Sequence, residues 1–266
     1  MTIVAAVKSR DCLVLGTDSM TQVIGALGPP AQTPPGTPSK PPEAPGFLKG
    51  YSNATKLFQV ANLPIGVATW GAGNIGSLSI GGLVSDYQPL AEATVQAVAE
   101  GLGESIQTAY NANFGSLPKD KMPALGFFVG GYSNKQPLAE LWEIRFPGPT
   151  ISQVRGQQDF GANWRGIELP FSRLHFGADP RIEQVLTQAG VAQPVIQKVM
   201  RSFESPVIFD SMPIQDAVGF AEHILKTTIA FTTYEVGYPT CGEPTQVAVI
   251  MRRKGFTWVD EPRFHV

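Results

Sequence analysis

The sequence has little of what marks a disulfide scaffold or a metal site. It contains only two cysteines in 266 residues, Cys12 and Cys241. Two cysteines are too few for a disulfide framework, and their wide separation does not fit the spacing of metal-binding motifs. We therefore expect a reduced, intracellular setting, with no metal ion and no other cofactor.

Charge and long apolar runs are also scarce. Charged residues make up 16% of the chain. The net charge is −2 and the pI is about 5.9, so the chain has no excess of basic residues that would bind nucleic acid or an anionic membrane. No apolar run reaches the ~18 residues of a membrane span, and no targeting segment opens the chain. These absences predict a soluble, cytoplasmic protein that binds neither nucleic acid nor membrane. The low fraction of charged residues favours a protein whose surface is partly covered by partner subunits.

Length and composition predict one globular domain over residues 1–266, with one large insertion. Hydrophobic residues make up 43% of the chain, enough for a sizeable core. Eight of the seventeen residues in 29–45 are proline, which donates no ladder hydrogen bonds and breaks helices. We expect an inserted, extended loop at about residues 25–53. It is either a recognition tail for a proline-binding module or a tolerated insertion that contacts other subunits.

Hydrophobic periodicity predicts a mixed α+β fold. Short apolar or alternating runs predict strands at residues 2–8, 12–17, 55–60, 65–70, 124–132, 139–146, 150–154, 245–251 and 256–259. Apolar residues at helical spacing predict helices at residues 75–85, 89–113, 181–189, 195–203 and 212–231, while 157–173 is ambiguous. Runs of strands separated by blocks of helices favour antiparallel sheets. A four-layer αββα sandwich fits this order.

The second residue, Thr2, has distinctive chemistry if it becomes the N-terminus. We take Met1 as the initiator, and a small second residue permits its removal. The Thr2 hydroxyl would then lie beside its own α-amine, whose pKa of about 7.7–8 leaves a fraction neutral near neutral pH. A weak nucleophile thereby gains an adjacent general base. Most proteins with threonine at this position make no use of it, so the position alone does not predict catalysis.

A glycine-rich corner follows the fourth predicted strand. Residues 71–76 read Gly-Ala-Gly-Asn-Ile-Gly. A strand that runs into such a corner and then into a helix places backbone N–H groups around one point, which suits an anion or an oxyanion. The corner lacks the full dinucleotide fingerprint and the lysine of a phosphate loop.

Short motifs follow one another in an order that carries a family resemblance. Residues 2–8 read Thr-Ile-Val-Ala-Ala-Val-Lys, residues 13–19 read Leu-Val-Leu-Gly-Thr-Asp-Ser, and the aspartate lies sixteen residues after the threonine. This opening resembles that of proteasome β-type subunits and bacterial proteasome homologues, which are N-terminal nucleophile (Ntn) hydrolases. Residues 55–60 resemble the strand bearing that family's catalytic lysine, and residues 68–73 resemble its glycine corner. Further similarity is found at residues 130–132, 141–144 and 246–250, so it covers nearly the whole chain.

The resemblance implies roles for four residues. Thr2 would be the nucleophile, with its freed α-amine as general base. Lys56 would lower the pKa of that amine and stabilise developing negative charge, while Asp18 would pair with Lys56. Gly71 would contribute an N–H to the oxyanion hole. Each also has a plain structural reading: Asp18 as a turn residue, Lys56 as a solvated edge lysine, and Gly71 as the start of a helix.

Three further residues are candidate supports of such a site. Ser19 follows the aspartate, while Glu235 and Cys241 stand where the family has an aspartate and a serine near its last strands. The lysine follows the aspartate by 38 residues, so the proline-rich segment would be an insertion between them. Such an insertion is tolerable because the entropy cost of loop closure grows slowly with length.

The resemblance implies an N-terminal threonine peptidase that hydrolyses amide bonds within a self-compartmentalised ring. Its partners would be identical subunits, a peptide or unfolded-protein substrate, and an unfoldase or regulator. Two alternatives stay open. One is a catalytically inactive homologue with a structural or binding role in a ring. The other is a non-proteolytic Ntn amidase or transpeptidase that uses the same nucleophile on a small substrate.

Overall fold

The computed structural model describes residues 2–25, 46–90 and 93–261. In these residues the chain has a mixed α+β fold with antiparallel sheets and six α-helices. The strands are β1 Ile3–Lys8, β2 Leu13–Asp18, β3 Thr21–Gly25, β4 Gly46–Tyr51, β5 Leu57–Gln59, β6 Ile65–Gly71, β7 Asn74–Ile75, β8 Leu78–Ser79, β9 Leu125–Gly131, β10 Glu140–Phe146, β11 Thr150–Arg155, β12 Gly161–Gly166, β13 Thr245–Met251 and β14 Gly255–Asp260. The helices are α1 Ile80–Asp86, α2 Val95–Phe114, α3 Leu169–Phe176, α4 Arg181–Gln188, α5 Gln193–Phe203 and α6 Ile214–Thr233.

Two five-stranded antiparallel sheets contain most of the strands. The first sheet has the order β12-β1-β2-β13-β14, and the second has the order β11-β10-β9-β6-β5. Two small ribbons, β3–β4 and β7–β8, accompany them. Strand β1 pairs with β2 on one side and β12 on the other, so that Ile3 lies opposite Gly166 and Val4 lies opposite Thr17. The N-terminal end of the chain is therefore held inside a sheet.

Three hydrophobic clusters explain why the first strands are apolar on both faces. Ile3, Ala5 and Val7 belong to a cluster formed with α6 and α3, while Val4 and Ala6 belong to a second cluster that also contains residues of the second sheet. A third cluster joins the second sheet to α2 and α1. Every residue of β1 is buried, because successive side chains of a strand point to opposite faces and both faces are covered.

The sheet and helix α6 approach each other closely at Gly16. A Cβ atom on Gly16 would lie 3.0 Å from Leu225 Cδ1 of α6, which is tighter than ordinary contact. The glycine therefore lets α6 pack directly on β2. Leu225 is fully buried there, and burial of one aliphatic side chain contributes about 1.5–3 kcal/mol.

The region after the glycine corner differs from the helix predicted at residues 75–85. Its first part forms the ribbon β7–β8, and α1 begins only at Ile80. Gly76 has φ +58° at the turn of the ribbon, a conformation that suits glycine. The Ser79 hydroxyl then caps α1 by accepting a hydrogen bond from the N–H of Gly82 at 3.0 Å, as N-cap residues do. The turn at Gly76 and the cap at Ser79 therefore set the start of the helix, although the apolar residues before Ile80 also have helical spacing.

Two other predicted segments also differ, and one ambiguous segment has regular structure. The helix predicted at residues 89–113 begins at Val95, where Thr94 accepts a hydrogen bond from the N–H of Ala97. The ambiguous residues 157–173 contain β12 and the first turns of α3. In the predicted inserted loop, residues 46–51 form β4, which pairs with β3, whereas residues 26–45 lie outside the described residues. None of the helices in the described ranges is long and apolar enough to cross a membrane.

Candidate active site

The ammonium group of Lys56 contacts both Thr2, the predicted nucleophile, and Asp18, the predicted partner of the lysine. Lys56 Nζ donates hydrogen bonds to Thr2 Oγ1 at 2.8 Å and to Asp18 Oδ1 at 2.9 Å, and a third to the carbonyl oxygen of Met20. The group is buried: Thr2 is 4% exposed, Asp18 0% and Lys56 7%. Residues from three separate strand regions thus meet at one point between the sheets.

Asp18 is held as an acceptor on both of its oxygens. Its Oδ1 accepts from the N–H of Ile3 at 3.1 Å as well as from Lys56, and its Oδ2 accepts from the N–H groups of Met20 at 3.0 Å and Gly242 at 3.2 Å. Burial raises the pKa of Asp18, and the Lys56 ammonium and the backbone donors oppose that rise. These four donors satisfy a buried carboxylate and fix its position relative to β1.

Lys56 is positioned by a buried glutamine of the other sheet. Gln246 on β13 accepts hydrogen bonds at its Oε1 from the N–H groups of Lys56 at 3.0 Å and Leu57 at 3.3 Å, and its Nε2 donates to the carbonyl oxygen of Ala54 at 2.8 Å. Burial lowers the pKa of Lys56, while the Asp18 carboxylate opposes this change. Sequence reasoning missed the role of Gln246. The available signal was a single amide in an otherwise apolar strand.

Thr2 is held from the opposite side by the junction between β12 and α3. The N–H of Ile167 donates to the carbonyl oxygen of Thr2 at 2.9 Å. The preceding residue, Gly166, has φ +93°, and a Cβ atom there would lie 1.9 Å from that same oxygen. Only glycine fits both the backbone conformation and the space. This contact was also missed, because β12 was not recognised in the sequence.

A cavity of about 620 Å³ opens beside the hydroxyl of Thr2. Thr2, Lys56 and Gly71 all line it. Gly71 is the last residue of β6, with φ +93°, and a Cβ atom there would lie 2.2 Å from the carbonyl oxygen of Ala124. The structure therefore brings the predicted nucleophile, lysine and oxyanion glycine to one cavity, with Asp18 behind the lysine.

The three candidate supporting residues have different surroundings. Ser19 is buried and its hydroxyl donates to the carbonyl oxygens of Ser52, at 2.9 Å, and Pro244. The Cys241 thiol lies 3.2 Å from the hydroxyl of Thr232 inside the cluster around α6, and burial raises its pKa to about 11. Glu235 is exposed on the loop after α6. Ser19 and Cys241 thus support the surrounding backbone and core.

The arrangement suits stabilisation of negative charge on the threonine oxygen. An ammonium 2.8 Å from Oγ1 lowers the cost of forming an alkoxide there, and Asp18 keeps the buried ammonium paired.

Across residues 2–25, 46–90 and 93–261, no group of three or more His, Cys, Asp or Glu side chains could hold a metal ion.

Comparison with known proteins relates the chain to a fold. Neither a protein-family model nor a curated protein sequence matches it. The structure is similar to Anbu (ancestral beta-subunit) from Yersinia bercovieri, with 15% identity over 98% of this chain and 88% of that chain and a TM-score of 0.48. It is also similar to an Anbu (Gly-1) mutant from Hyphomicrobium sp. strain MC1, with 15% identity over 99% of this chain and 86% of that chain and a TM-score of 0.51. The latter similarity supports a proteasome-like fold; at this identity it speaks to the fold alone.

Proposed function

We propose that this chain is an N-terminal threonine hydrolase that cleaves peptide bonds, with Thr2 as nucleophile after removal of Met1. The observation that carries the proposal is the position of Lys56 Nζ, 2.8 Å from Thr2 Oγ1 and 2.9 Å from Asp18 Oδ1. Buried ion pairs contribute little to stability compared with well-packed apolar residues. Perturbed ionisable groups beside a cavity are instead typical of functional sites.

The reaction needs a base for the Thr2 hydroxyl, and the freed α-amine of Thr2 supplies it. The amine takes the hydroxyl proton as Oγ1 bonds to the carbonyl carbon of the substrate, whose oxygen gains the electron pair. The N–H of Gly71 receives this oxyanion. Collapse breaks the C–N bond, and the proton passes from the α-amine to the leaving amine. Water then hydrolyses the ester on Thr2 by the same route and regenerates the hydroxyl.

Lys56 and Asp18 have distinct parts in this scheme. The Lys56 ammonium lowers the pKa of the α-amine because the two like charges repel, and it stabilises negative charge on Oγ1. Asp18 keeps the lysine charged in a buried place where burial alone lowers its pKa. Gln246 and Asp18 together hold the lysine, one through its backbone N–H and the other through its ammonium.

The proposal includes the architecture and the assembly. The three hydrophobic clusters support a four-layer αββα sandwich in a single domain. The proposal keeps the proline-rich segment as an insertion on the grounds of its sequence. Exposed apolar side chains on α4 and α5, among them Val185 at 62%, Val195 at 52% and Phe203 at 54% exposure, support a ring of identical subunits. Such a ring would enclose the cavities beside Thr2 and restrict access to peptides and unfolded chains.

The test combines intact mass with covalent labelling. A peptide carrying a threonine-directed electrophile is incubated with the wild type, with Thr2→Ala and with Thr257→Ala, a control at an exposed threonine of β14. We expect a mass without Met1, one label on the wild type and the control, and no label on Thr2→Ala. Retention of Met1 together with labelling that survives Thr2→Ala would overturn the proposal. Correct processing without any labelling would favour the inactive homologue.

A further inference from the structure

A second cavity lies at the opposite end of the second sheet from Thr2. Its volume is about 390 Å³, within the range of roughly 300–1,000 Å³ typical of ligand pockets. Pro64, directly before β6, lines this cavity, whereas Gly71, the last residue of β6, lines the cavity beside Thr2. The length of β6, about 20 Å for a strand of seven residues, therefore separates the two cavities. The second cavity has no part in the reaction proposed for Thr2.

The charged side chains of this cavity wall are both positive. Of the lining residues in the described part of the chain, Lys135 and Arg252 alone have charged side chains. Neither side chain forms a hydrogen bond or an ion pair within residues 2–25, 46–90 and 93–261. An ammonium and a guanidinium that border one space attract an anion into it.

The buried hydroxyl of Tyr132 is a third donor for an anion. Tyr132 is only 4% exposed and lines the cavity, yet its hydroxyl has no hydrogen-bond partner among the described residues. In the same residues, the fully enclosed side-chain oxygen and nitrogen atoms without a partner belong to Thr17 and Gln107 alone, so the Tyr132 oxygen reaches the open space of the cavity. Burial raises the pKa of Tyr132, and the phenol therefore keeps its proton at neutral pH. A buried phenol usually has a partner, and a bound ligand can supply it here.

The carboxylates near this cavity face other groups. Glu140 is 8% exposed and accepts hydrogen bonds from three side chains, one of which is Ser133 of the cavity wall. Asp11 raises the pKa of Tyr132 in addition to burial, while Arg252 opposes this rise. Neither carboxylate lines the cavity. The two cations of the wall are thus open to a ligand.

We propose that this cavity binds the phosphate group of a small phosphomonoester. Such a group carries a charge of about −1.5 to −2 at neutral pH, which two cations match and which a carboxylate reaches only in part. Its oxygens can accept hydrogen bonds from an ammonium, a guanidinium and a phenol at once. Leu63, Pro64 and Ala93 form an apolar part of the wall, which suits the carbon skeleton of the ester.

The experiment compares phenyl phosphate with benzoate, which carries a carboxylate on the same ring, and with inorganic phosphate. Binding to the full chain is measured by calorimetry at neutral pH and constant ionic strength, because salt screens such contacts. We expect phenyl phosphate to bind on the order of tenfold more tightly than either of the other two. Equal binding of benzoate, or no binding of phenyl phosphate at millimolar concentration, would overturn the proposal. Equal binding of inorganic phosphate would overturn the assignment to an ester. The measurement does not involve the reaction of Thr2, so its outcome leaves the proposed function untouched.

Two substitutions test the location of the site. Arg252→Met removes the guanidinium, and Arg253→Met is the matched control, because it changes the net charge equally at an exposed residue of the same turn that does not line the cavity. Tyr132→Phe removes only the hydroxyl, and its control is Tyr234→Phe at a residue that is 88% exposed.

We expect Arg252→Met and Tyr132→Phe each to weaken the binding of phenyl phosphate on the order of tenfold, and the two controls to change it less than about twofold. Equal weakening by Arg252→Met and Arg253→Met would reveal only a general attraction to a basic turn and would overturn the proposal. The comparison of phenyl phosphate with benzoate on the wild type stands even if a variant does not fold.

Discussion

The backbone N–H of Ile167 donates a hydrogen bond of 2.9 Å to the carbonyl oxygen of Thr2. This contact fixes the peptide group of Thr2 from the side of β12, whereas Lys56 contacts its hydroxyl from the side of the second sheet. The position of the hydroxyl therefore depends on two parts of the chain that lie far apart in sequence. Disturbing either one should affect the reaction of Thr2.

The first prediction concerns Gly166→Ala. The new Cβ atom would lie 1.9 Å from the carbonyl oxygen of Thr2, at a residue with φ +93°. We expect a loss of about 1–3 kcal/mol in the free energy of unfolding from the strained backbone, and a further displacement of Thr2 that slows its labelling at least tenfold. Urea unfolding and labelling rates measure the two effects.

Gly148→Ala is the control for this substitution. Gly148 also has a positive φ, +71°, but nothing lies within 4 Å of its Cβ position. It should therefore lose stability from the backbone alone and label at the wild-type rate. If the two variants label equally fast, the contact between Ile167 and Thr2 does not position the nucleophile.

The second prediction separates the structural and chemical roles of Lys56. Lys56→Met removes the ammonium and leaves the buried Asp18 carboxylate without its counter-charge, which typically costs about 3–5 kcal/mol. The double variant Lys56→Met with Asp18→Asn also removes the orphaned charge. We expect the double variant to recover part of the lost stability in urea unfolding, because the orphaned charge is gone but an amide offers one accepting oxygen where the carboxylate offers two to the N–H groups of Ile3, Met20 and Gly242. Labelling of Thr2 should be absent in both variants.

Lys198→Met, at an exposed position of α5, serves as the control and should change stability by less than about 0.5 kcal/mol. Wild-type labelling by the double variant would show that the lysine and aspartate form a structural pair only, and that Thr2 reacts without them.

The strands around Thr2 could be predicted because their sequence is simple. Residues 2–8 and 12–17 are almost continuous apolar runs, and the structure has β1 at Ile3–Lys8 and β2 at Leu13–Asp18. Both faces of these strands are buried, so packing leaves little room for polar residues. Thr2, Asp18 and Lys56 are indicated instead by the resemblance to proteasome β-type subunits, and each stands at or next to the start or the end of a predicted strand.

Other elements could not be predicted because polar side chains interrupt their pattern. In β12, Asn163 accepts a hydrogen bond from Arg155 at 2.8 Å, and Arg165 pairs with Glu143 at 2.6 Å. These partners come from β11 and β10, and a local pattern does not show them. The role of Gln246 also depends on a distant segment, because its amide satisfies backbone groups around Lys56.

The third prediction follows from that amide. Gln246→Leu keeps the side chain's approximate volume but leaves the N–H groups of Lys56 and Leu57 and the carbonyl of Ala54 without their partner. Each buried group left unsatisfied costs about 1–3 kcal/mol, so we expect a clear loss of stability in urea unfolding. We also expect slower labelling of Thr2, because Lys56 loses its backbone support.

The control, Gln184→Leu, lies at an exposed position of α4 and should change neither quantity. A Gln246→Leu variant that is destabilised but labels at the wild-type rate would assign Gln246 to the fold and not to the position of Lys56.

The fourth prediction concerns pH and the ion pair between the two sheets. Glu143 on β10 is 3% exposed and accepts hydrogen bonds from Arg165 of β12 at 2.6 Å and from Arg145 at 2.8 Å. Burial would raise the pKa of Glu143, but the hydrogen bonds from Arg145 and Arg165 outweigh it and hold the pKa below the ordinary value of 4.5. The pair therefore contributes stability above pH 4.5, and that contribution is lost as the pH falls through the lowered pKa.

Glu143→Gln should accordingly reduce the free energy of unfolding at pH 7 by about 1–3 kcal/mol, and its difference from the wild type should narrow as the pH falls below 4.5. Urea unfolding of both proteins at a series of pH values from 7 to 3 measures this difference directly. Glu104→Gln, at an exposed position of α2, controls for the general effect of removing a carboxylate. If the difference in free energy of unfolding between Glu143→Gln and the wild type stays constant over the whole pH series, the charge of Glu143 does not stabilise the protein. The loss would then come only from the poorer fit of the glutamine amide.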